Sequence, residues 1–488
     1  MDKNPDSTTS SRSTIHQKTI VVDLDGTLIN TDLLIENFFL FVRYFPLQVP
    51  LLLFQLLRGK AGFKRYLADA IMPEVSHLPY NHELIAWLKQ QYKKGARIVL
   101  ATASDDRIAR NVADYLGIFT DVMGTRNINL SSHNKRDKLI ELFGQQGYEY
   151  VGNSKDDLAI WKTASNIHVV NPELGVLTHA AKLGPISTLI VNKPLYLLSL
   201  LKALRIHQWA KNLLIFVPLL ASHRILEWDL LLAGLLAFIA YGTCASSVYV
   251  LNDLLDLPDD RQHPTKCNRP LASGALPIQH ALFITPAMLI FGFGISFWML
   301  PIQFTGMLAI YYLLTLAYSL SFKRIVMLDV FTLAILYTVR VIAGAEAMFL
   351  YSTFWILTFC MFIFFSLALL KRYTELCRAR VKGVVEKISG RGYFSADLEI
   401  LASLGCASGY ISVVVLALYI NESATGNLYH SPEWMWLACP LLLFWLSRAW
   451  LLAHRGQMHD DPIIFALSDK ISLCIGLAFL LVFGLASI

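Results

Sequence analysis

The chain has 488 residues, is 55% hydrophobic and only 16% charged, and carries a formal net charge of +6. That composition excludes a conventional soluble protein of about three domains. Nucleic acid is not the indicated partner either, because the basic residues collect where apolar runs end, and lipid phosphate lies nearer there.

The chain opens with a polar stretch, residues 1–18, expected to be a disordered tail. No apolar stretch precedes Ile20, so no cleavable signal peptide is expected. Thr19–Val22 reads as a buried parallel strand. It runs into Asp23-Leu-Asp25-Gly-Thr, which places two carboxylates at a strand's carboxyl end, where open α/β sheets bind ligands. Such a pair suits a hard cation and covalent phosphoryl chemistry. The insert Leu33–Met72 is apolar, helical in pattern and interrupted by Pro46 and Pro50. It either lies on a membrane surface, with Lys60, Lys64 and Arg65 closing its apolar face, or packs on its own domain. "RIVLATAS" is a second strand, ending in Thr102 and Ser104. "NKRDKLIELFG" starts a helix with Lys135 and Lys138. "YEYVGNSKDD" is a third strand, ending in Asn153 and Asp156-Asp157.

These four segments, in this order, resemble the haloacid dehalogenase superfamily of phosphatases. The resemblance implies a Rossmann-like domain over 19–172, with a helical cap at about 33–80 and a linker at 173–200. It also implies Asp23 as nucleophile and Asp25 as general acid/base, Thr102 and Lys135 holding phosphate, and Mg²⁺ held by Asp23, Asp25 and Asp157. One departure is Asn153, where the family carries Asp. An amide oxygen can still ligate Mg²⁺, but one negative charge is lost. The alternative is an inactive domain serving as a scaffold.

From about residue 201 the chain becomes a succession of apolar runs, each near the length that spans a ~30 Å hydrocarbon core. About nine spans are expected: 205–222, 229–251, 278–299, 303–320, 326–347, 353–370, 399–420, 433–453 and 468–487. Lys and Arg gather in alternate loops: Arg261, Lys266 and Arg269; Lys323 and Arg324; Lys371 to Arg391; Arg455. This pattern predicts a multi-pass inner-membrane protein with a cytoplasmic N-terminal domain and, for nine spans, a C-terminus outside. The seven cysteines form no CxxC and read as packing residues.

After the second run comes "NDLLDLPDDRQHPTKCNRPLASG". Asn252, Asp256 and Asp260 are spaced i, i+4, i+8, with Asp253 three before Asp256, so a helix would bring them to one face. Pro258 ends or kinks that helix. Like charges so arranged repel unless a cation sits among them, and oxygen ligands favour Mg²⁺ bound together with substrate phosphates. Lys266 and Arg269 follow as phosphate donors.

This pattern on a multi-span chain resembles the UbiA superfamily of intramembrane transferases, which implies an all-α membrane bundle around a cavity that binds a diphosphate with Mg²⁺. The second acidic motif of that superfamily is reduced here to Asp329, with Leu333 four positions on. "LRIHQWAKNLLIFVPLL", "LALLKRYTEL" and "RGQMHDDPIIFALSD" are similar to the narrower decaprenyl-phosphate phosphoribosyltransferases of cell-wall biosynthesis. That likeness implies 5-phosphoribosyl diphosphate as donor and a polyprenyl phosphate as acceptor. Cations for a phosphate acceptor are at hand: Lys211, Lys323, Arg340, Lys371 and Arg372, with Tyr318 beside them in sequence. Arg340 could instead pair with Asp329. His459, Asp460 and Asp461 either shape the donor site or cap the last helix. The alternative activity is a prenyltransferase that attaches a polyprenyl chain to an aromatic acceptor. The reading leaves room for a homo-oligomer.

Overall fold

The computed structural model describes residues 18–55, 57, 59–381, 392–422, 429–458 and 461–487. All but the last residue of the expected tail lies outside them, as do Lys382, Lys387, Arg391, His459 and Asp460. The chain packs as two compact units. One runs to Ala203 and includes Asp253–Leu282. The other comprises Leu204–Asn252 and the chain from Phe283 onward.

The first unit is built on a six-stranded parallel sheet in the order β3-β2-β1-β4-β5-β6. The strands are β1 Thr19–Val22, β2 Arg97–Asp105, β3 Asp121–Thr125, β4 Glu149–Gly152, β5 Asn166–Val170 and β6 Ile186–Ile190. Alternate side chains point to opposite faces of a strand, and here both faces are covered. Ile20, Val22, Ile98 and Leu100 pack with helices His82–Lys93 and Asp106–Leu116. Val21, Val99 and Ala101 pack with Leu139, Ile160, Trp161 and Val176 on the other side. Strand order reverses at β1, which pairs with β2 on one edge and β4 on the other. Asp23 follows β1 directly, so it stands at the switch point of the sheet.

Three helices, Leu33–Tyr44, Val49–Gln55 and Lys60–Ala70, form the insert between β1 and β2. Phe41, Leu52, Phe63 and Leu67 bury one another. Tyr44, Leu47, Leu51, Phe54 and Leu57 remain exposed. The insert therefore packs on its own residues and also keeps an outer apolar row.

The segment Asp253–Leu282 is tied into this unit. Both terminal nitrogens of Arg261 donate to Glu36, whose carboxylate also accepts from the Thr31 hydroxyl. The two side chains are 6% and 4% exposed, a pairing that is strongly destabilised when one partner is removed. Gly274, at φ +73°, lies so close to Asn30 that a Cβ would come within 2.4 Å of its carbonyl oxygen.

The second unit is helical. Among the described residues seven helices are long and apolar enough to cross a membrane: Trp228–Leu255, Ile278–Met299, Ile302–Leu320, Leu328–Ala347, Phe354–Arg380, Ser395–Ile420 and Glu433–His454. A bent pair, Pro462–Ser468 with Lys470–Ala486, turns by 82° and brings the number to eight if it crosses once. The expected count was nine. The difference lies at 205–222, which is a 3-10 stretch, Ile206–Phe216, followed by a short helix, Val217–Ala221. His207, Lys211 and Asn212 interrupt the apolar run there, and Pro218 lacks the N–H that a continuous helix needs.

Without a hydrophobic drive between helices in lipid, close packing rests on small residues and interhelical hydrogen bonds. Helices Phe354–Val381 and Leu398–Ile420 show both. Ser366 Oγ donates to the Gly405 carbonyl at 2.6 Å, and Ser408 Oγ to the Phe362 carbonyl at 2.7 Å. Gly344 is tighter still, since a Cβ there would stand 2.0 Å from the Ile215 carbonyl oxygen. That contact is with backbone, which cannot swing aside. Gly344→Ala is expected to destabilise the bundle by about 1–3 kcal/mol through overpacking, seen as a lower thermal denaturation midpoint of detergent-solubilised protein. Gly306→Ala, which meets nothing within 4 Å, is the control and should change little.

Candidate functional sites

The first site forms where β1, β2 and β4 end. Asp23 is buried, and its backbone N–H is held by the Val151 carbonyl at 3.0 Å. Lys135, on helix Ser132–Phe143, reaches it with Nζ at 2.8 Å from Oδ1. The same Nζ donates to Tyr150 Oη at 3.1 Å, and Tyr150 Oη donates to Asp157 Oδ1 at 2.8 Å. Burial pushes the Asp23 carboxyl up to about 6, although Lys135 pulls it down. Burial works against the Lys135 charge, yet Asp23 and Asp157 beside it raise its pKa.

Asp25 accepts from the Leu33 N–H at 2.9 Å, from Ser104 Oγ at 2.6 Å and from Thr102 Oγ1 at 3.4 Å. Burial, reinforced by the charge of Asp32, pushes it up to about 7. A carboxyl that gives and takes a proton near neutrality is suited to general acid/base work. A cleft beside it is lined by Leu34, Asn37, Lys64, Leu67, Ser104 and Ile108. Lys64 comes from the insert and donates to the Ala103 carbonyl at 2.6 Å and to Asn129 at 2.8 Å.

Asn153 lies against Gly26, where a Cβ would fall 2.5 Å from its amide nitrogen, and its Oδ1 accepts from Thr27 at 3.1 Å. Asp157, expected to complete a Mg²⁺ site, is held by four donors. Oδ2 accepts from the N–H groups of Asn153 (2.9 Å) and Ser154 (2.8 Å) and from Ser154 Oγ (3.0 Å), while Oδ1 takes Tyr150. Through these bonds Asp157 fixes the loop that carries Asn153. Among the described residues no three His, Cys, Asp or Glu side chains are grouped to hold a metal. The donors that fit a hard cation are the oxygens of Asp23, Asp25 and Asn153, two of them buried carboxyls whose ionisation burial opposes. Tyr150 and Ser104 complete the network. The sequence reading gave Tyr150 no role, because a tyrosine in a buried strand looks like core.

The acidic segment does not form one continuous helix face. Helix Trp228–Leu255 ends just before Asp256, and a second helix, Leu257–Gln262, begins with Pro258 in its first turn. A first-turn position is one proline tolerates, since its missing N–H would be unpaired anyway. The break lets one cation serve two acids. Arg269 Nη1 lies 3.1 Å from Asp253 Oδ1 and 2.5 Å from Asp260 Oδ2. The cation among the acids is therefore a guanidinium of the chain itself. Burial raises the Asp260 pKa, and Arg269 opposes this. On the last turn of the long helix Asn252 Oδ1 is buried without a hydrogen-bond partner, as an unused oxygen ligand would be. Lys266 is exposed.

The second unit holds its own charges. Lys211 pairs with Asp461, and Lys371 Nζ lies 3.7 Å from the same carboxylate. Arg340 is buried. Its Nε donates to Asn212 at 3.1 Å, Nη1 to the Leu336 carbonyl and Nη2 to Tyr311 at 3.3 Å. Its guanidinium carbon lies 4.9 Å from the Tyr311 ring centre, 5.3 Å from Tyr241 and 5.6 Å from Tyr337. Pairing with Asp329 does not occur. Asp329 accepts from Arg372 and from Tyr393 Oη at 2.6 Å, and Arg372 also holds Glu375 and Tyr318. Arg372, expected to bind phosphate, is thus spent on two carboxylates. Lys323 and Tyr318 are half-buried.

The sequence model of the UbiA prenyltransferase family matches residues 213–469. An uncharacterised protein of Sinorhizobium fredii, y4nM, is 36% identical over 460 residues, covering 94% of this chain and 89% of its own. Nodulation protein NoeC of Azorhizobium caulinodans is 37% identical over 288 residues, 58% of this chain and 92% of that one. A decaprenyl-phosphate phosphoribosyltransferase of Mycolicibacterium smegmatis is 28% identical over 292 residues, 59% of this chain and 92% of that one.

Asp157→Ala removes an acceptor that holds four donors. It is expected to raise amide hydrogen exchange across 150–158 and to destabilise the first unit by about 3 kcal/mol. Exchange and thermal denaturation measured on the whole protein check this.

Proposed function

Because the chain belongs to the UbiA prenyltransferase family, we propose that its membrane half is a phosphoribosyltransferase of that family. A phosphate oxygen of a polyprenyl phosphate attacks C1 of 5-phosphoribosyl diphosphate. The C1–O bond breaks, and diphosphate leaves with the electron pair. The observation that carries this reading is the fate of Asp329. An aromatic prenyltransferase would need a second acidic motif, and here its remaining acid is consumed by Arg372 and Tyr393. What the bundle offers instead is cationic: two lysines on one carboxylate and a buried arginine solvated by tyrosines and Asn212. That surplus suits an acceptor that is itself a phosphate. The likeness to the mycobacterial transferase supports the same donor.

Asn252, Asp253, Asp256 and Asp260 would hold Mg²⁺, which when bound neutralises the diphosphate leaving group. Arg269 and Lys266 take its phosphate oxygens.

The transfer leaves a 5-phosphate on the ribose. The N-terminal domain, which resembles haloacid dehalogenase phosphatases, removes it. Asp23 attacks phosphorus, and the sugar oxygen leaves with a proton from Asp25. The same carboxylate then draws a proton from the water that hydrolyses the aspartyl-phosphate. Lys135 and Thr102 hold the phosphoryl oxygens. Asn153 and the four donors on Asp157 favour the second reading, in which the domain is an inactive scaffold.

One experiment separates these readings. Membranes are incubated with polyprenyl phosphate and labelled 5-phosphoribosyl diphosphate, and lipid products are weighed by mass spectrometry. The parent should yield the dephosphorylated lipid. Asp23→Asn should accumulate a product heavier by one phosphate, since the amide is a poor nucleophile. Asp256→Ala should lower transfer by about 100-fold or more. Near-parental turnover of Asp256→Ala at limiting Mg²⁺, or product only from a prenyl diphosphate and an aromatic acid, sinks the transferase reading. A parent that accumulates the 5-phosphorylated lipid sinks the phosphatase reading and leaves the scaffold.

We also place the N-terminal domain in the cytoplasm, from the basic loops, and the C-terminus outside. If the bent pair crosses once, the latter needs residues 206–221 to cross as well, which a 3-10 rise of about 2 Å per residue helps them to do. A topology reporter fused at the C-terminus should report from outside; a cytoplasmic signal means eight crossings.

A further inference from the structure

Asp256 stands at a break between two helices. Leu255 ends one helix and Leu257 begins the next, and Asp256 sits between them at φ −100° and ψ 11°. At that junction stands Arg43, near the end of the insert helix Leu33–Tyr44. Its Nη1 donates to the Leu255 carbonyl at 3.1 Å and lies 3.7 Å from Asp256 Oδ1. Its Nη2 donates to Asp259 Oδ2 at 2.6 Å. The Arg43 side chain is only 11% exposed. A cation at a helix carboxyl end meets both an orphan carbonyl and the negative end of the dipole. One guanidinium therefore caps the long helix and neutralises two acids beyond it. The rest of the segment is fastened to the same insert and its flanks: Arg261 to Glu36, Gln262 to Glu74 at 2.9 Å, and Gln279 to Asp32 at 3.3 Å.

We propose that Arg43, a residue of the phosphatase-like domain, is a positioning residue for the transferase: it fixes Asp256 at the helix break and so sets the affinity of the acidic segment for the diphosphate donor. This rests on the reading of Asn252–Asp260 as the diphosphate clamp. It assigns the fused domain a part in transfer that does not require its own phosphatase chemistry. Loss of Asp23 and loss of Arg43 must then have different signatures.

The test uses the full chain and three variants: Arg43→Glu, Arg43→Lys, and Arg43→Glu combined with Asp259→Arg. Arg43→Glu is expected to raise the KM for the diphosphate donor about 10-fold, with kcat within about twofold and with phosphate release from a small soluble phosphate ester unchanged. Arg43→Lys, which keeps the charge, should lie between it and the parent. The double variant returns a cation to the junction and should recover most of the loss. In parallel, amide exchange over 253–262 is followed with and without magnesium diphosphate. The parent segment should be protected by the probe, and Arg43→Glu should lose that protection. Parental KM in Arg43→Glu overturns the proposal, and so does a double variant no better than the single one. If the parent transfers from neither 5-phosphoribosyl nor prenyl diphosphate, the clamp reading fails as a function. The exchange arm then decides alone: unchanged protection in Arg43→Glu overturns the positioning role, and its loss upholds it.

Discussion

A carboxylate or guanidinium taken out of water must be met by a donor or a counter-charge, and the alternative costs several kcal/mol per group. Much of the functional architecture of this chain follows from how that requirement is met. In the first unit Lys135 is threaded between Asp23 and Tyr150, and Tyr150 passes the contact on to Asp157. Two strand ends, those of β1 and β4, and one helix are thereby locked at the switch point of the sheet. In the bundle Arg372 gathers Asp329, Glu375 and Tyr318, joining helix Ile302–Leu320 to its two successors. Arg340 is the exception among these, as its shell is aromatic and amide rather than acidic. Where a buried cation has no acid, an anionic ligand has somewhere to go.

Two kinds of cation consequently do different work. Arg372 is neutralised by the chain and stiffens it. Lys211 and Lys371 share the single carboxylate of Asp461, and among the described residues Arg340 is paired with amide, carbonyl and tyrosine groups. Sequence position alone does not separate them. Lys371 and Arg372 are neighbours on one helix and face opposite fates, as adjacent helical residues point about 100° apart.

The N-terminal fold was legible because its apolar runs are short, bounded, and end in chemistry. Thr19–Val22 followed by Asp23 names both a strand and the end at which a ligand binds. Asp25, Thr102 and Lys135 were named the same way; Thr102 lies 3.4 Å from Asp25 and Lys135 2.8 Å from Asp23. What escaped was contact chosen by tertiary geometry. Ser104, at 2.6 Å, proves closer to Asp25 than Thr102 does at 3.4 Å, a choice between two hydroxyls that spacing alone does not make. Asp157, read as a ligand, also braces the loop after β4 through the N–H groups of Asn153 and Ser154. Pro258 was read as ending or kinking the helix; the long helix does end at Leu255, and Pro258 then sits in the first turn of the next, where its missing N–H is tolerated. The first apolar run, 205–222, kept its hydrophobicity but not its regularity, since Lys211 and Asn212 turn inward to partners there.

The placement of Asp253–Leu282 in the N-terminal unit bears on how the protein is made. The domain is discontinuous in sequence, with Leu204–Asn252, most of it a membrane-crossing helix, lying between its two parts. Domains fold as units during synthesis, N-terminal ones first. This one cannot, because the ribosome must first deliver the chain to Leu282. Its sheet can form early, but the Glu36 carboxylate waits for Arg261. Completion of the first unit thus becomes a late event that follows delivery of the helix before its second part. A chain that fails to insert keeps its N-terminal unit unfinished and exposed to cellular quality control.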